Sequence, residues 1–214
     1  MAARAFTSCE YQILEQHFAG GGDTRGHTLL VLGCNSGLRI SSLLGLTVAD
    51  CWTGEAVRRE LFVARCRLKG GRGSRRRAVT GLRIPLADHV RQAIEDQLRA
   101  IGTDDLTRAL FPSRQSGSGA MSRWNAHRML VEACRACGID SYHVATHSLR
   151  KTFAQFCYAK TKCIQIVQRC LAHRSVLTTM AYLNINQDAV DRTILDLTTP
   201  APAANVIPLP AAVA

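Results

Sequence analysis

The sequence has no run of 18 or more apolar residues, which excludes a bilayer-spanning helix. Its start, Met1-Ala2-Ala3-Arg4-Ala5-Phe6, passes at once into polar residues and lacks the apolar stretch of a secretory signal, so a cytoplasmic location is expected, with no membrane partner. The one CxxC, Cys134-Arg135-Ala136-Cys137, has no second pair at zinc-ribbon spacing, so no metal is expected there. The total of 9 cysteines is odd and scattered through apolar contexts, which speaks against a disulfide framework and for reduced thiols. Acidic residues are absent between 65 and 83, and no charged side chain occurs from 198 to 214.

What is present starts with size and charge. At 214 residues and 47% apolar, the chain can bury one sizeable core and is not generally disordered. The net charge is +11, and the acid-free stretch supplies eight of those charges through Arg65, Arg67, Lys69, Arg72, Arg75, Arg76, Arg77 and Arg83. A phosphate backbone rewards such density by counterion release, so double-stranded DNA is the expected partner. An anionic membrane surface fits the charge but not the missing amphipathic period.

Patterning divides the chain into short elements. Thr7-Ser8-Cys9-Glu10 reads as a capping box with Phe6 and Tyr11 as hydrophobic staple, predicting a helix to about Phe18 that Gly20-Gly21-Gly22-Asp23 ends. Thr28 to Cys34 is apolar and runs into a turn at Gly37, after which a short helix through Ile40, Leu43 and Leu44 places Arg39 at its entrance. Leu61 to Arg67 and Ala78 to Pro85 read as strands around Gly70, Gly71 and Gly73, which makes the basic run a β-hairpin. Helices are predicted over Asp88 to Ile101, from the Ser122 cap to Cys137, over about 148–160, 163–171 and 175–184, and over Val190 to Leu197. The expected fold is mainly α with a small antiparallel β-sheet. A catalytic domain over 1–197 and a Pro/Ala-rich C-terminal tail over 198–214 are the expected division.

The chemistry lies in three short stretches. They are Gly37-Leu38-Arg39-Ile40, His147-Ser148-Leu149-Arg150, and Leu171-Ala172-His173 running on to Tyr182. A phosphodiester attacked by an oxygen nucleophile gathers charge on its non-bridging oxygens, so fixed cationic donors around phosphorus are the main requirement. Arg39 and Arg150 suit it, because a guanidinium fork contacts two oxygens and stays charged. His147, three residues before Arg150, can share its side of a helix and act as hydrogen-bond donor or base, and His173 offers a second imidazole. A free phenol has a pKa of about 10, so Tyr182 needs cations and a base to attack near neutrality. Lys69, at the neck of the hairpin, is the lysine placed to protonate the leaving 5′ oxygen, while Arg65, Arg67, Arg72, Arg75, Arg76 and Arg77 suit DNA-backbone contacts. Taken singly, Arg39 or Arg150 reads as a surface arginine and Tyr182 as a packing residue.

Together these stretches resemble the tyrosine recombinase (phage integrase) family. Gly37 to Leu46 with Asp50 is similar to its first box, His147-Ser148-Leu149-Arg150-Lys151-Thr152-Phe153 to its HxLRHTF box, and Leu171-Ala172-His173 to Tyr182 to its LGHxxxxTTxxY box. The resemblance covers about 10–197 and implies the tyrosine recombinase catalytic-domain fold. It also implies Tyr182 as nucleophile forming a 3′-phosphotyrosyl link, Arg39 and Arg150 as phosphate clamp, His147 as acid/base, His173 as supporting hydrogen-bond donor and Lys69 as general acid. No metal, nucleotide or other cofactor is implied, and the working unit is a tetramer on two DNA sites. The function so implied is site-specific recombination of the integrase or invertase type, serving a mobile element or a small inversion system. A silent DNA-binding regulator and a type IB topoisomerase-like relaxing enzyme are the alternatives. Ser42, Lys151 and Ala172 depart from the family pattern, at positions expected to be peripheral to the phosphate chemistry. Only 36 residues precede Gly37, which leaves no room for the family's usual N-terminal clamp domain. In this the chain is similar to the short fimbrial-switch invertases, with an accessory DNA-bending or clamp protein as a further expected partner.

Overall fold

A computed structural model describes residues 3–64, 81–114, 119–173 and 175–183. The described residues form nine helices and one two-stranded sheet. In chain order these are α1 (Ser8–Gly20), α2 (Thr24–Ser36), α3 (Ile40–Leu44), α4 (Val48–Cys51), β1 (Glu60–Ala64), β2 (Gly81–Pro85), α5 (Asp88–Ile101), α6 (Arg123–Ala136), α7 (Thr146–Thr161), α8 (Ile164–Cys170) and α9 (Val176–Leu183). The fold is thus mainly helical with a small antiparallel sheet, as the patterning predicts.

The N-terminal capping box forms as expected. Thr7 Oγ1 accepts from the Glu10 amide at 3.2 Å and Glu10 Oε2 accepts from the Thr7 amide at 2.8 Å, an arrangement typically worth about 1 kcal/mol. Phe6, just outside it, is 1% exposed. α2 is the central helix. Leu29, Leu30, Val31, Leu32 and Cys34 are all buried, covering every side of it, as a helix apolar all round requires. It packs against α1, α5 and α7. Its polar atoms are satisfied inside the core: Thr28 Oγ1 donates to the Ala93 carbonyl at 2.6 Å, and Gln97 on α5 bonds both Thr24 and the Leu110 carbonyl.

β1 and β2 pair antiparallel in the register Leu61 to Ile84 and Val63 to Leu82. Leu61 and Val63 are buried and Phe62 is half exposed, the alternation of a strand with one covered face. The two strands are the base of the expected basic hairpin. Residues 65–80, with Lys69, Arg65, Arg67, Arg72, Arg75, Arg76 and Arg77, lie outside the described residues, as do the expected helix over Val190 to Leu197 and the tail over 198–214.

Patterning did not yield α4, whose four residues are too few to show a period. Thr47 and Asp50 cap it instead, with Asp50 Oδ2 accepting from the Thr47 amide at 2.8 Å. α7 begins at Thr146, two residues earlier than the expected start at 148, which places His147 inside its first turn. The C-terminal helices α7, α8 and α9 form a small separate apolar cluster of Ala154, Val167, Leu171 and Leu183, with Tyr182 at its margin. The eight cysteines among the described residues are free thiols. No described helix is long and apolar enough to cross a membrane.

Candidate active site

Gly37 opens the site. It ends α2 in the left-handed conformation, φ 62°, which glycine adopts without a side-chain penalty. A Cβ there would come within 2.5 Å of the Phe153 ring on α7, so glycine is required for packing as well as for conformation. The reversal at Gly37 lets Arg39 take the N-cap of α3 with extended backbone, its carbonyl accepting from the Ser42 and Leu43 amides at 2.9 Å. Arg39 is half-buried, at the helix entrance expected of it.

Arg150, one turn into α7, is 3% exposed. Its Nη1 donates to the Gly37 carbonyl, and its Nη2 donates to the Leu171 carbonyl at 2.7 Å and meets His173 Nε2 at 3.1 Å. Its Nε is buried without a partner. Burial is the largest influence lowering the Arg150 pKa, to about 10, and the charge of Arg39 adds to it, while the nearby Tyr182 phenol opposes both. The guanidinium therefore stays protonated near neutrality, and among the described residues no carboxylate contributes to holding it. A buried guanidinium beside a second arginine, with a spare donor, is built to receive an anion.

His173 has its tautomer dictated by these neighbours. Arginine only donates, so Nε2 must be the acceptor, and Nδ1 carries the proton toward Thr179 Oγ1 at 3.1 Å. Burial, then Arg150 and Arg39, lower the His173 pKa to about 4, so the ring is neutral. The expected role of His173 was that of a hydrogen-bond donor. In this structure its ring accepts from Arg150 and donates to Thr179.

His173 reaches Arg150 because of the turn before it. α8 ends with Leu171 at its C-cap and Ala172 left-handed, φ 51°. The His173 amide donates to the Gln168 carbonyl and the Ala172 amide to the Arg169 carbonyl, both at 3.0 Å, which is the Schellman pattern. Ala172 thus occupies the turn that aims the Leu171 carbonyl and the His173 ring at Arg150. An alanine there is strained by roughly 1 kcal/mol relative to glycine.

Tyr182, on α9, is half-buried and sets its ring edge-on to His173, centroids 5.0 Å apart and planes at 70°. Thr179 and Tyr182 are three apart on that helix and share a face. Lys151, the second departure from the family pattern, sets its Nζ 5.9 Å from the Tyr182 ring centroid. Ser42, the third departure, is 5% exposed beneath Arg39.

Of the expected catalytic residues, the fold brings Arg39, Arg150, His173 and Tyr182 together and places His147 exposed on the first turn of α7, one turn before Arg150. Lys69 and the hairpin arginines are outside the described residues. Sequence reasoning missed Thr179, buried at 0% exposure, although its helical spacing from Tyr182 was a usable signal. It also missed the Gly37 and Leu171 carbonyls, for which side-chain identity offers no signal. No group of three or more metal-ligating side chains converges among the described residues.

Residues 8–188 match the model of the phage integrase family. The chain is 32% identical to a probable integrase/recombinase, YoeC, of Bacillus subtilis over 164 residues, covering 77% of this chain and 80% of that protein. It is 29% identical to the tyrosine recombinase XerD of Corynebacterium glutamicum, covering 78% of this chain and 51% of the relative, so it spans about half the length of that protein. Among solved structures, the XerA recombinase superposes with a TM-score of 0.70 at 22% identity, over 94% of this chain and 67% of that one. The XerH recombinase bound to its difH substrate does so with a TM-score of 0.68 at 18% identity, over 91% and 53%. A family match over most of its length, together with the paired arginines, the neutral histidine and the phenol gathered in one site, establishes that the chain belongs to the phage integrase family, the tyrosine recombinases.

Proposed function

We propose that the chain is a site-specific DNA recombinase whose catalytic domain spans 1–197 and whose nucleophile is Tyr182. The phenol oxygen of Tyr182 attacks a DNA phosphorus, its proton passes to a base, and an O–P bond forms as the P–O5′ bond breaks. The departing 5′ oxygen takes up a proton, and a 3′-phosphotyrosyl link remains. Attack by another 5′ hydroxyl reverses the chemistry on a new strand and needs no external energy, since one phosphodiester-type bond replaces another.

Within this reading Arg39 and Arg150 clamp the non-bridging oxygens, and the unpartnered Nε of Arg150 gains its acceptor from the phosphate. His147, exposed at the start of α7, exchanges the proton of the phenol. His173 keeps Arg150 in register, and Lys69 protonates the leaving group. Arg65, Arg67, Arg72, Arg75, Arg76 and Arg77 hold the duplex backbone, positioning it without reading sequence. A tetramer on two DNA sites, assisted by an accessory DNA-bending or clamp protein, is the assembly this chemistry calls for, and integration or inversion of a mobile element in the cytoplasm is its setting.

The observation that carries the reading is the buried Arg150 held beside Arg39, with its Nε unpartnered and Tyr182 set against His173 in the same site. The test is covalent trapping on nicked duplexes tiled from the DNA flanking the gene, in metal-free buffer on a denaturing gel. Wild type should form an adduct that Tyr182→Phe does not, with duplex binding equal in the two. Salt-sensitive binding with no adduct from wild type would refute the enzymatic reading.

A further inference from the structure

Lys151 follows Arg150 directly on α7, yet the two side chains diverge, because successive helical residues are rotated by about 100°. Arg150 turns inward and is committed to the Gly37 and Leu171 carbonyls and to His173. Lys151 stays half-buried and brings its ammonium to the ring of Tyr182, 5.9 Å from the centroid. A lysine that only covers apolar surface lays its stem there and keeps its head in water. This one sets its head against the residue that performs the chemistry.

We propose that Lys151 is a positioning residue for Tyr182: its ammonium holds the phenol ring against α7 and favours the negative charge that builds on the phenol oxygen as it attacks. The inference rests on the recombinase reading above, with Tyr182 as nucleophile. The charged and titratable groups facing Tyr182 come from three elements. Among the described residues, α7 supplies Arg150 and Lys151, the turn after α8 supplies the neutral His173, and Arg39 lies beside Arg150 and His173; His147 is exposed at the first turn of α7. Among the described residues, the cluster Tyr182 packs on is otherwise apolar, Ala154, Val167, Leu171 and Leu183, with Tyr158 and the Cys157 thiol at its margin, the thiol held protonated by burial.

Within that set the cations have different freedoms. Arg150 is buried with both terminal nitrogens engaged, so it is fixed and stabilises charge at the phosphate. Lys151 is a compact charge on a flexible four-carbon stem and can follow the phenol oxygen through the step. The attraction of a cation for an aromatic face does not require the hydroxyl, so it orders the ring before reaction. During reaction the same charge, 5.9 Å from the ring centroid, acts on the ring whose oxygen loses its proton and bonds to phosphorus.

The test compares wild type with Lys151→Met, which keeps an apolar stem without charge, Lys151→Arg, which keeps the charge, and Lys151→His, whose charge depends on pH. Single-turnover formation of the covalent adduct on the nicked flanking duplexes is followed from about pH 6 to about pH 9, alongside duplex affinity. Lys151→Met should be about tenfold slower at every pH with unchanged affinity, a barrier increase of about 1.4 kcal/mol. Lys151→Arg should recover the rate. Lys151→His should approach wild type at the acid end and fall to the Lys151→Met rate as its ring deprotonates. Equal rates for Lys151→Met and wild type overturn the proposal, as do a loss that Arg does not rescue, a loss seen in affinity instead of rate, or a Lys151→His profile parallel to wild type. An adduct that forms but ignores the charge at 151 removes only this inference; no Tyr182-dependent adduct from wild type removes the recombinase reading with it.

Discussion

Mild acid should destabilise the protein through one side chain. His173 titrates at about 4 in the folded chain against an ordinary value of 6.5, because it is buried and faces Arg150 and Arg39. Between those values the unfolded chain binds a proton at this ring that the folded chain refuses, so stability is complete above the unfolded value and declines as pH falls toward the folded one. At about pH 5 the two titrations give a loss of about 2 kcal/mol relative to neutral pH, approaching about 3 kcal/mol near pH 4. A loss of that size is a large share of the net stability of a domain. Urea unfolding of wild type and of His173→Gln, run at about pH 7.5 and about pH 5, isolates the effect, since carboxylates contribute equally to both proteins. The variant is expected to lose about 2 kcal/mol less than wild type on acidification. Cleavage by the folded protein should fall only as pH approaches about 4, where a protonated Nε2 can no longer accept from Arg150 and instead repels it. An identical acid response in the two proteins would refute both the burial argument and the assigned tautomer.

Three further outcomes follow from the geometry. Gly37→Ala meets the Phe153 ring and a left-handed backbone together; it should lower stability by about 2–4 kcal/mol and abolish cleavage by displacing the carbonyl that holds Arg150, as thermal melts and adduct assays would report. Ala172→Gly relieves the left-handed alanine of the α8 cap and should strengthen amide-exchange protection across α8 and α9 by about 0.5–1 kcal/mol with cleavage retained; weaker protection would contradict the cap assignment. Lys69→Ala should slow cleavage of normal DNA strongly and leave a substrate with a 5′ sulfur leaving group nearly unaffected, because a thiolate leaves without protonation. Equal slowing on both substrates would remove Lys69 as the general acid.

Much of the local structure was legible in the chain. Thr7 and Glu10 announce α1, Asp88 to Ile101 carries its helical period to Gly102, Ser122 caps α6, and Leu61 and Val63 alternate with Phe62 in β1. α4 was not legible, because its four residues are held by Thr47 and Asp50 rather than by an apolar face. The roles of Ala172 and Lys151 were hidden for a different reason. Ala172 matters through its backbone angle, and Lys151 through a ring contributed by another helix.

Residue chemistry and helical spacing are properties of the chain alone: they supply a phenol, two guanidiniums and two imidazoles, and set His147 with Arg150 and Thr179 with Tyr182 on common faces. What Arg150 touches is not such a property. Gly37, 113 positions away, and Leu171, 21 positions away, offer carbonyls to it only because α2 and α8 are packed beside α7. The electrostatics follow from the same packing. Burial beside two arginines, which only the assembled tertiary structure creates, makes His173 a neutral acceptor and leaves Arg150 a charged donor with a valence to spare.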